Sequence, residues 1–306
     1  MATSYQGAPQ QGTVTSMTQS GQTTASAPII RTIGLSDLHQ ALRLGWEDFK
    51  AVPTHAIILC LIYPVLGLVL ARTVHGYSVL PLLFPMAAGF ALLGPFAAIG
   101  LYEMSRRRET GEEATAWDAM EVFRSPSFGA MLGVGVLLFA LFVTWIATAQ
   151  AVYTAAFGYE TAANIPDFTQ RILTTQQGWW LIVVGCGVGF LFALVALCIS
   201  VVSFPMMLDR HASAGEAIAT SLRVVARNPV PMAAWGLIVA VLLVLGTLPF
   251  FLGLAIVLPL LGHATWHLYR QVIVKDANVR PIIPRPRERK PAADFPANLF
   301  PWKRSQ

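Results

Sequence analysis

Met232-AAWGLIVAVLLVLGTLPFFLGLAIVLPLLGHATWH-Leu268 runs for 37 residues without one Asp, Glu, Lys or Arg. As a single straight helix it would extend about 55 Å, nearly twice the roughly 30 Å hydrocarbon core of a bilayer. Gly246, Pro249 and Gly253 sit near its middle, where proline removes a helix hydrogen bond and glycine loosens the backbone. The expected form is therefore a tight hairpin of two short spans.

Four further apolar stretches precede it: Thr54 to Ala71, Val79 to Tyr102, Phe128 to Phe157 and Gly178 to Leu208, again with no Asp, Glu, Lys or Arg. With the hairpin they make six spans, an even number that leaves both termini on one side. Charge tests the count. In the six-span arrangement 19 of the 21 Lys and Arg residues fall on the side of the termini, and only Arg72 and Arg171 on the other. That asymmetry places both termini in the cytoplasm of a bacterial inner membrane. A five-span arrangement would move the basic C-terminal residues outside. The composition, 55% hydrophobic and 12% charged, excludes an ordinary soluble domain, for which about 25% charged is typical.

Three regions follow. Residues 1–30 carry no charged side chain and are rich in Gln, Thr, Ser, Gly and Ala, the composition of a disordered tail. No basic start followed by an apolar run marks a cleaved leader. Residues 31–274 form the six-span membrane domain. Residues 275–306 are a basic, proline-rich cytoplasmic tail, expected to be extended and solvated, with lipid or partner contact as the alternative. Cys60, Cys186 and Cys198 all fall within spans and have no paired spacing, so they read as small packing residues.

A unit recurs three times. Asp37 with Gln40, Thr115 with Asp118, and Ser213 with Glu216 share the spacing by which an N-cap oxygen and a side chain three residues later satisfy free amides at a helix start. Leu38, Ala41, Leu42, Gly45, Trp46 and Phe49 trace one face of the first lead-in helix. Ala214, Ala217, Ile218, Ser221, Leu222 and Val225 repeat those steps 176 residues later, and Pro229 keeps register with Pro53. The middle unit is shorter, with Ala119, Met120 and Phe123 before Pro126. The expected fold is all-α: a polytopic bundle of six transmembrane helices in three two-span units, each led by an amphipathic interfacial helix. The repeats are parallel, whereas many transporters use inverted ones. Tyr102 before Arg106, Arg107 and Arg108, and Tyr269 before Arg270, read as interfacial anchors.

Gly45-Trp46-Glu47-Asp48-Phe49, the run Leu83-Phe84-Pro85-Met86-Ala87-Ala88-Gly89-Phe90-Ala91-Leu92-Leu93-Gly94-Pro95-Phe96, and Gly100-Leu101-Tyr102-Glu103 followed by Ser105-Arg106-Arg107 resemble a bacterial family of predicted integral membrane proteins, domain of unknown function 2189. The likeness covers about residues 30 to 275. The resemblance implies a membrane protein with no established activity, so no functional residues carry over. Some members bear a cytochrome c oxidase label, and a haem-copper subunit needs several histidines inside its spans. This chain has six in all, four of them in loops or at span edges, so that reading fails.

His263 and His267 share a helix face at i, i+4. However, the segment His263-Ala-Thr-Trp-His267 lacks the glutamate of the zinc-protease motif, and no carboxylate is expected to complete a site. They read as interfacial histidines, with a ligand role as the alternative. Gly129 with Gly133 and Gly185 with Gly189 have the small-x-x-x-small spacing of close helix packing, within one bundle or in a homodimer. Gly94-Pro95 should kink the second span. The mixed charges from Glu103 to Glu121 read as a solvated surface, with partner or headgroup docking as the alternative. No phosphate loop, nucleophile elbow or Ser/His/Asp arrangement stands out, and the charge of +5 follows the topology, which leaves nucleic-acid binding without support.

No catalytic, cofactor-binding or metal-binding residue is therefore assigned, and no cofactor. The expected role is non-enzymatic: membrane-complex assembly, scaffolding or lipid organisation, with membrane lipids, a membrane-protein partner or a second copy as partners. The alternative is a transporter or channel for an apolar or amphipathic solute, its path built from Gly89, Gly94, Pro95 and the Gly185 to Gly189 face.

Overall fold

The computed structural model describes residues 28–52, 85–86, 89, 91–112, 120–160, 165–249 and 252–275. The first apolar stretch with Pro53, the opening of the second, the lead-in around Thr115 to Ala119, Cys60, His55, His75, Arg72 and nearly all of both tails lie outside the described residues.

The described chain is helical. Helix α1 (Leu35–Ala51) is followed by a 3-10 turn (Ala91–Leu93), a four-residue helix α2 (Gly94–Ala97) and α3 (Ile99–Glu109). After a second 3-10 turn (Met120–Arg124) come α4 (Phe128–Phe157), α5 (Ile165–Thr174), α6 (Gln176–Ser200), α7 (Ser203–Arg210), α8 (Ala214–Arg227), α9 (Pro229–Thr247) and α10 (Leu254–Val272). Three of these stretches, Phe128–Phe157, Gln176–Arg210 and Pro229–Thr247, are long and apolar enough to cross a membrane.

Met232 to Leu268 is divided as its glycines and proline suggest. Helices α9 and α10 meet across a turn so close that a Cβ on Gly253 would lie 2.8 Å from the carbonyl oxygen of Gly246. The second stretch breaks at Gly94-Pro95, where two short helical pieces replace one straight helix. The fourth stretch differs from a single span: α6 stops at Ser200, and α7 restarts after Val201 and Val202. Helix α5 carries Ile165, Phe168 and Ile172 at helical spacing, and Arg171 Nε donates to Asp167 at 3.1 Å.

The repeat is visible in backbone angles. Val52 has φ −134° and ψ 50°, and Asn228, 176 residues on, has φ −127° and ψ 53°. Each precedes a proline, which drives the preceding residue out of the helical region, and each returns its N–H to the carbonyl four residues back. Ala41 and Ala217 are both fully buried at matching positions. Ser213 caps α8 as expected, its Oγ accepting from Glu216 N–H at 3.3 Å. Helix α1, however, starts a turn earlier: Gly34 is the cap residue, and Asp37 accepts the Gly34 N–H at 2.7 Å instead of serving as the cap. Trp46 also departs from the inferred buried face, at 42% exposed, because α1 turns Leu38, Ala41, Gly45, Asp48 and Phe49 inward.

Packing is concentrated where the helices carry charge. Trp235, Trp266, Tyr102, Tyr269, Phe204 and Met104 are fully buried there. The two tyrosines thus belong to a packed core and are not interfacial anchors. The apolar helices are more open: 6% of the most apolar window of Gln176–Arg210 and 22% of that of Pro229–Thr247 are buried, against 28% in Phe128–Phe157, where Met131, Val134, Leu138 and Trp145 join the core. Among the described residues, the expected close packing is not seen at Gly129, Gly133 and Gly185, where a Cβ would meet nothing within 4 Å, and Gly189 faces the Trp145 ring.

Candidate functional site

The site begins with a helix crossing. A Cβ on Gly45 of α1 would fall 2.6 Å from the Ala264 backbone nitrogen of α10, so only glycine lets the two backbones approach this closely. One turn beyond Gly45 stands Asp48, one residue before Ala264 stands His263, and His267 follows four residues after His263. Helix α3 supplies Ser105 and Arg108 to the same place.

Four side chains form one buried chain. His267 Nε2 lies 2.8 Å from Asp48 Oδ2, Ser105 Oγ lies 2.6 Å from the same oxygen, and Ser105 Oγ lies 2.7 Å from His263 Nδ1. Arg108 Nε is 2.9 Å from Asp48 Oδ1, yet its N–H is not aimed at a partner, so this contact is coulombic. Burial by itself would raise the Asp48 carboxyl, but the hydrogen bonds from His267 and Ser105 and the nearby imidazoles outweigh it and hold the group below the usual carboxylate range. Ionised Asp48 takes the single Ser105 hydroxyl proton, which requires His263 Nδ1 to be the protonated nitrogen, donating to Ser105 Oγ. His263 Nε2 is then a fully buried acceptor with no partner among the described residues, an arrangement that costs about 1–3 kcal/mol.

The order of these groups decides their chemistry. In a nucleophilic triad the imidazole stands between hydroxyl and carboxylate and withdraws the hydroxyl proton. Here the hydroxyl stands in the middle, and Ser105 and His263 are both fully buried. The arrangement ties three helices together and can relay hydrogen bonds along the chain, but it presents no nucleophile to a substrate.

Two ion-pair clusters flank it. Glu103, buried on α3, accepts from Arg106 at 2.6 Å through both oxygens and from Arg107 at 2.9 Å, and Arg107 continues to Glu121 at 2.6 Å. Glu109 accepts from Arg270 at 2.6 Å and from Trp266 Nε1 at 3.2 Å. Asp209 accepts from Tyr269 at 2.7 Å and from Arg270 at 3.0 Å. Burial would raise the Glu109 carboxyl, yet Arg270 and Lys275 hold it below its usual range. The solvated-surface reading of Glu103 to Glu121 is corrected for its first part: Glu103, Ser105 and Arg107 are buried, because α3 is walled in by α7 and α10, whereas Glu109 to Glu112 are exposed and residues 113–119 lie outside the described residues.

The histidine pair is corrected as well. His263 and His267 are not loose at an interface, and a carboxylate does join them, from 215 residues earlier in the chain. The glutamate-free segment around them gave no sign of it. What could have pointed to the cluster was Asp48, an acid placed on the inward face of α1 beside Gly45. Among the described residues no three His, Cys, Asp or Glu groups converge as a metal site.

Residues 83–209 match the family described as predicted integral membrane protein (DUF2189), in line with the resemblance read from the sequence. Neither the curated proteins nor the solved structures contain a match.

Proposed function

We propose that this integral membrane protein crosses a bacterial inner membrane six times, as three two-span hairpins with both termini in the cytoplasm, and acts without catalysis as an assembly, scaffold or lipid-organising factor. The even count is supported by contacts that join chain points on either side of the apolar stretches. Asp48 meets Ser105, Ser127 Oγ lies 3.1 Å from His211 Nδ1, and Asn228 holds Ile33 and Arg31. Arg31 N–H also donates to Val272 O at 2.7 Å beside the Ile30–Ile273 bridge. No side chain reaches across some 30 Å of hydrocarbon, so such pairs favour an even number of crossings between their members. The excess of Lys and Arg at this end supports its cytoplasmic placement.

The functional reading is carried by one observation: Asp48, Ser105 and His263 at the centre of the polar cluster are buried, while among the described residues most of the apolar surface of α6 and α9 is exposed. Reporter fusions after Tyr77 and Asp167 should read periplasmic, and fusions after Glu113, Gly215 and Gln306 cytoplasmic. A stable stoichiometric partner retained in mild detergent is the expected result. Solute flux in liposomes holding only this protein, with no partner, would replace the scaffold reading by a transporter.

A further inference from the structure

We propose that the cleft between the N-terminal segment and the end of α8 binds the phosphate headgroup of an anionic phospholipid. The cleft, about 580 Å³, is lined by Pro28, Ile29 and Ile30 on one wall and by Arg223, Ala226 and Arg227 on the other. Asn228 fixes the two walls: its Oδ1 accepts the Ile33 N–H at 2.9 Å and its Nδ2 donates to Arg31 O at 3.2 Å. Helix α9, apolar enough to span, starts at Pro229 directly beneath. The cleft therefore lies at headgroup depth.

Its chemistry is divided as a phospholipid is. Ile29 and Val230 are each 68% exposed beside the arginines, apolar surface that suits acyl chain and glycerol. Neither guanidinium meets a carboxylate among the described residues: Arg223 donates to Thr220 Oγ1 at 2.9 Å and to Ala219 O at 3.3 Å, and Arg227 pairs with no acid. The repeat sharpens the contrast. At the matching positions of α1 stand Glu47 and Ala51, and Glu47 lies 3.9 Å from Arg43. The first unit neutralises its own cation, whereas the third replaces the acid by arginine and leaves both cations open to an anion. Charge complementarity selects a phosphate, and the depth of the cleft selects a lipid as its source.

This inference rests on the lipid-organising part of the proposed function, with this end at the cytoplasmic leaflet. The test is native mass spectrometry of the full-length protein with phosphatidylglycerol and phosphatidylcholine of matched chains. Wild type should retain phosphatidylglycerol preferentially. R223Q/R227Q should lose that preference by on the order of tenfold or more, the factor two interfacial arginines supply. R43Q should behave as wild type, and R223K/R227K should keep most of the preference, which separates lost charge from lost fold. Equal retention of the two lipids by wild type, or unchanged selectivity in R223Q/R227Q, overturns the site, and either outcome would leave Arg227 with only the carbonyl end of its helix to offset. Displacement of the lipid by millimolar inorganic phosphate would make it a free-phosphate site and also overturn the proposal. A protein partner that still co-purifies with R223Q/R227Q would show that the site failed alone. Flux without a partner would overturn the scaffold reading and leave the lipid result standing.

Discussion

The charged end of the bundle and the apolar helices that leave it follow opposite rules of construction. At the charged end, large aromatics and even Asp48, Glu103 and His263 are buried. Along α4, α6 and α9, residues such as Val136, Val183, Phe190 and Leu237 are exposed. The difference follows from the solvent each region meets. Lipid is as apolar as leucine, so burying leucine there gains little, and cohesion between helices must come from close packing or polar contacts. Water rewards burial of Trp235 and Trp266, and a polar group taken inside then needs a partner. The molecule is held together at its charged end, and the spans depend on that end for their arrangement.

The strongest way to break this comparison is to remove the centre of the polar chain. Asp48→Ala would leave the buried Ser105 and the part-exposed His267 and Arg108 without their shared acceptor, and truncating one partner of such a network costs about 3–5 kcal/mol where it is buried. Thermal unfolding in a mild detergent should show a large loss of stability. A shift no greater than that of an exposed α1 variant such as Arg43→Ala would mean the charged end does not hold the fold.

Gly45→Ala tests the crossing itself. The added methyl meets the Ala264 backbone, which has no flexible end to yield, so a loss of about 1–3 kcal/mol is expected. Gly215→Ala, where nothing lies within 4 Å, should instead be neutral or slightly stabilising because alanine is the better helix former. Equal effects at the two sites would remove the close approach.

Acid gives a smaller and graded effect. Asp48 and Glu109 both have folded-state pKa values below their ordinary ones. Their contribution is therefore complete above the unfolded carboxylate pKa of about 4 and is lost as pH falls through the lower folded values. Unfolding temperature should be insensitive to these groups from neutral pH down to about 5 and fall below that range, with a shallower fall in Asp48→Asn. An acid limb of the same depth in Asp48→Asn would assign the loss to other groups.

How much of this was legible depended on whether the signal was local. The division of Met232 to Leu268 into two helices could be read because Gly246, Pro249 and Gly253 interrupt an otherwise overlong run, and the likeness of the first and third lead-ins because Val52 and Asn228 each precede a proline. Asp48, Ser105 and His263 could not be joined from the sequence, since each is a single polar residue on a different helix and only tertiary packing brings them together. The tyrosines and the run from Glu103 to Arg107 misled for a related reason: Tyr beside Arg has the same pattern at a lipid interface and inside a core capped by ion pairs. The glycine pairs misled because spacing states that helices can approach, not that a second helix is there.

Those glycines give the smallest expected effect and the sharpest test of the spans. Among the described residues Gly185 meets nothing within 4 Å, and neither do Gly129 and Gly133, so Gly185→Leu adds a side chain where none of those residues stands. In the purified protein the change should stay within about 0.5 kcal/mol, the range of surface substitutions away from special features. The same variant should be compared in cell membranes, where any partner is present. If it unfolds as wild type in detergent but no longer retains a co-purifying protein, the bare face of α6 is where that protein sits. If it loses more than about 1 kcal/mol in detergent as a purified species, that face is already covered by a second copy, and the contrast between a packed end and open spans holds only for the isolated chain.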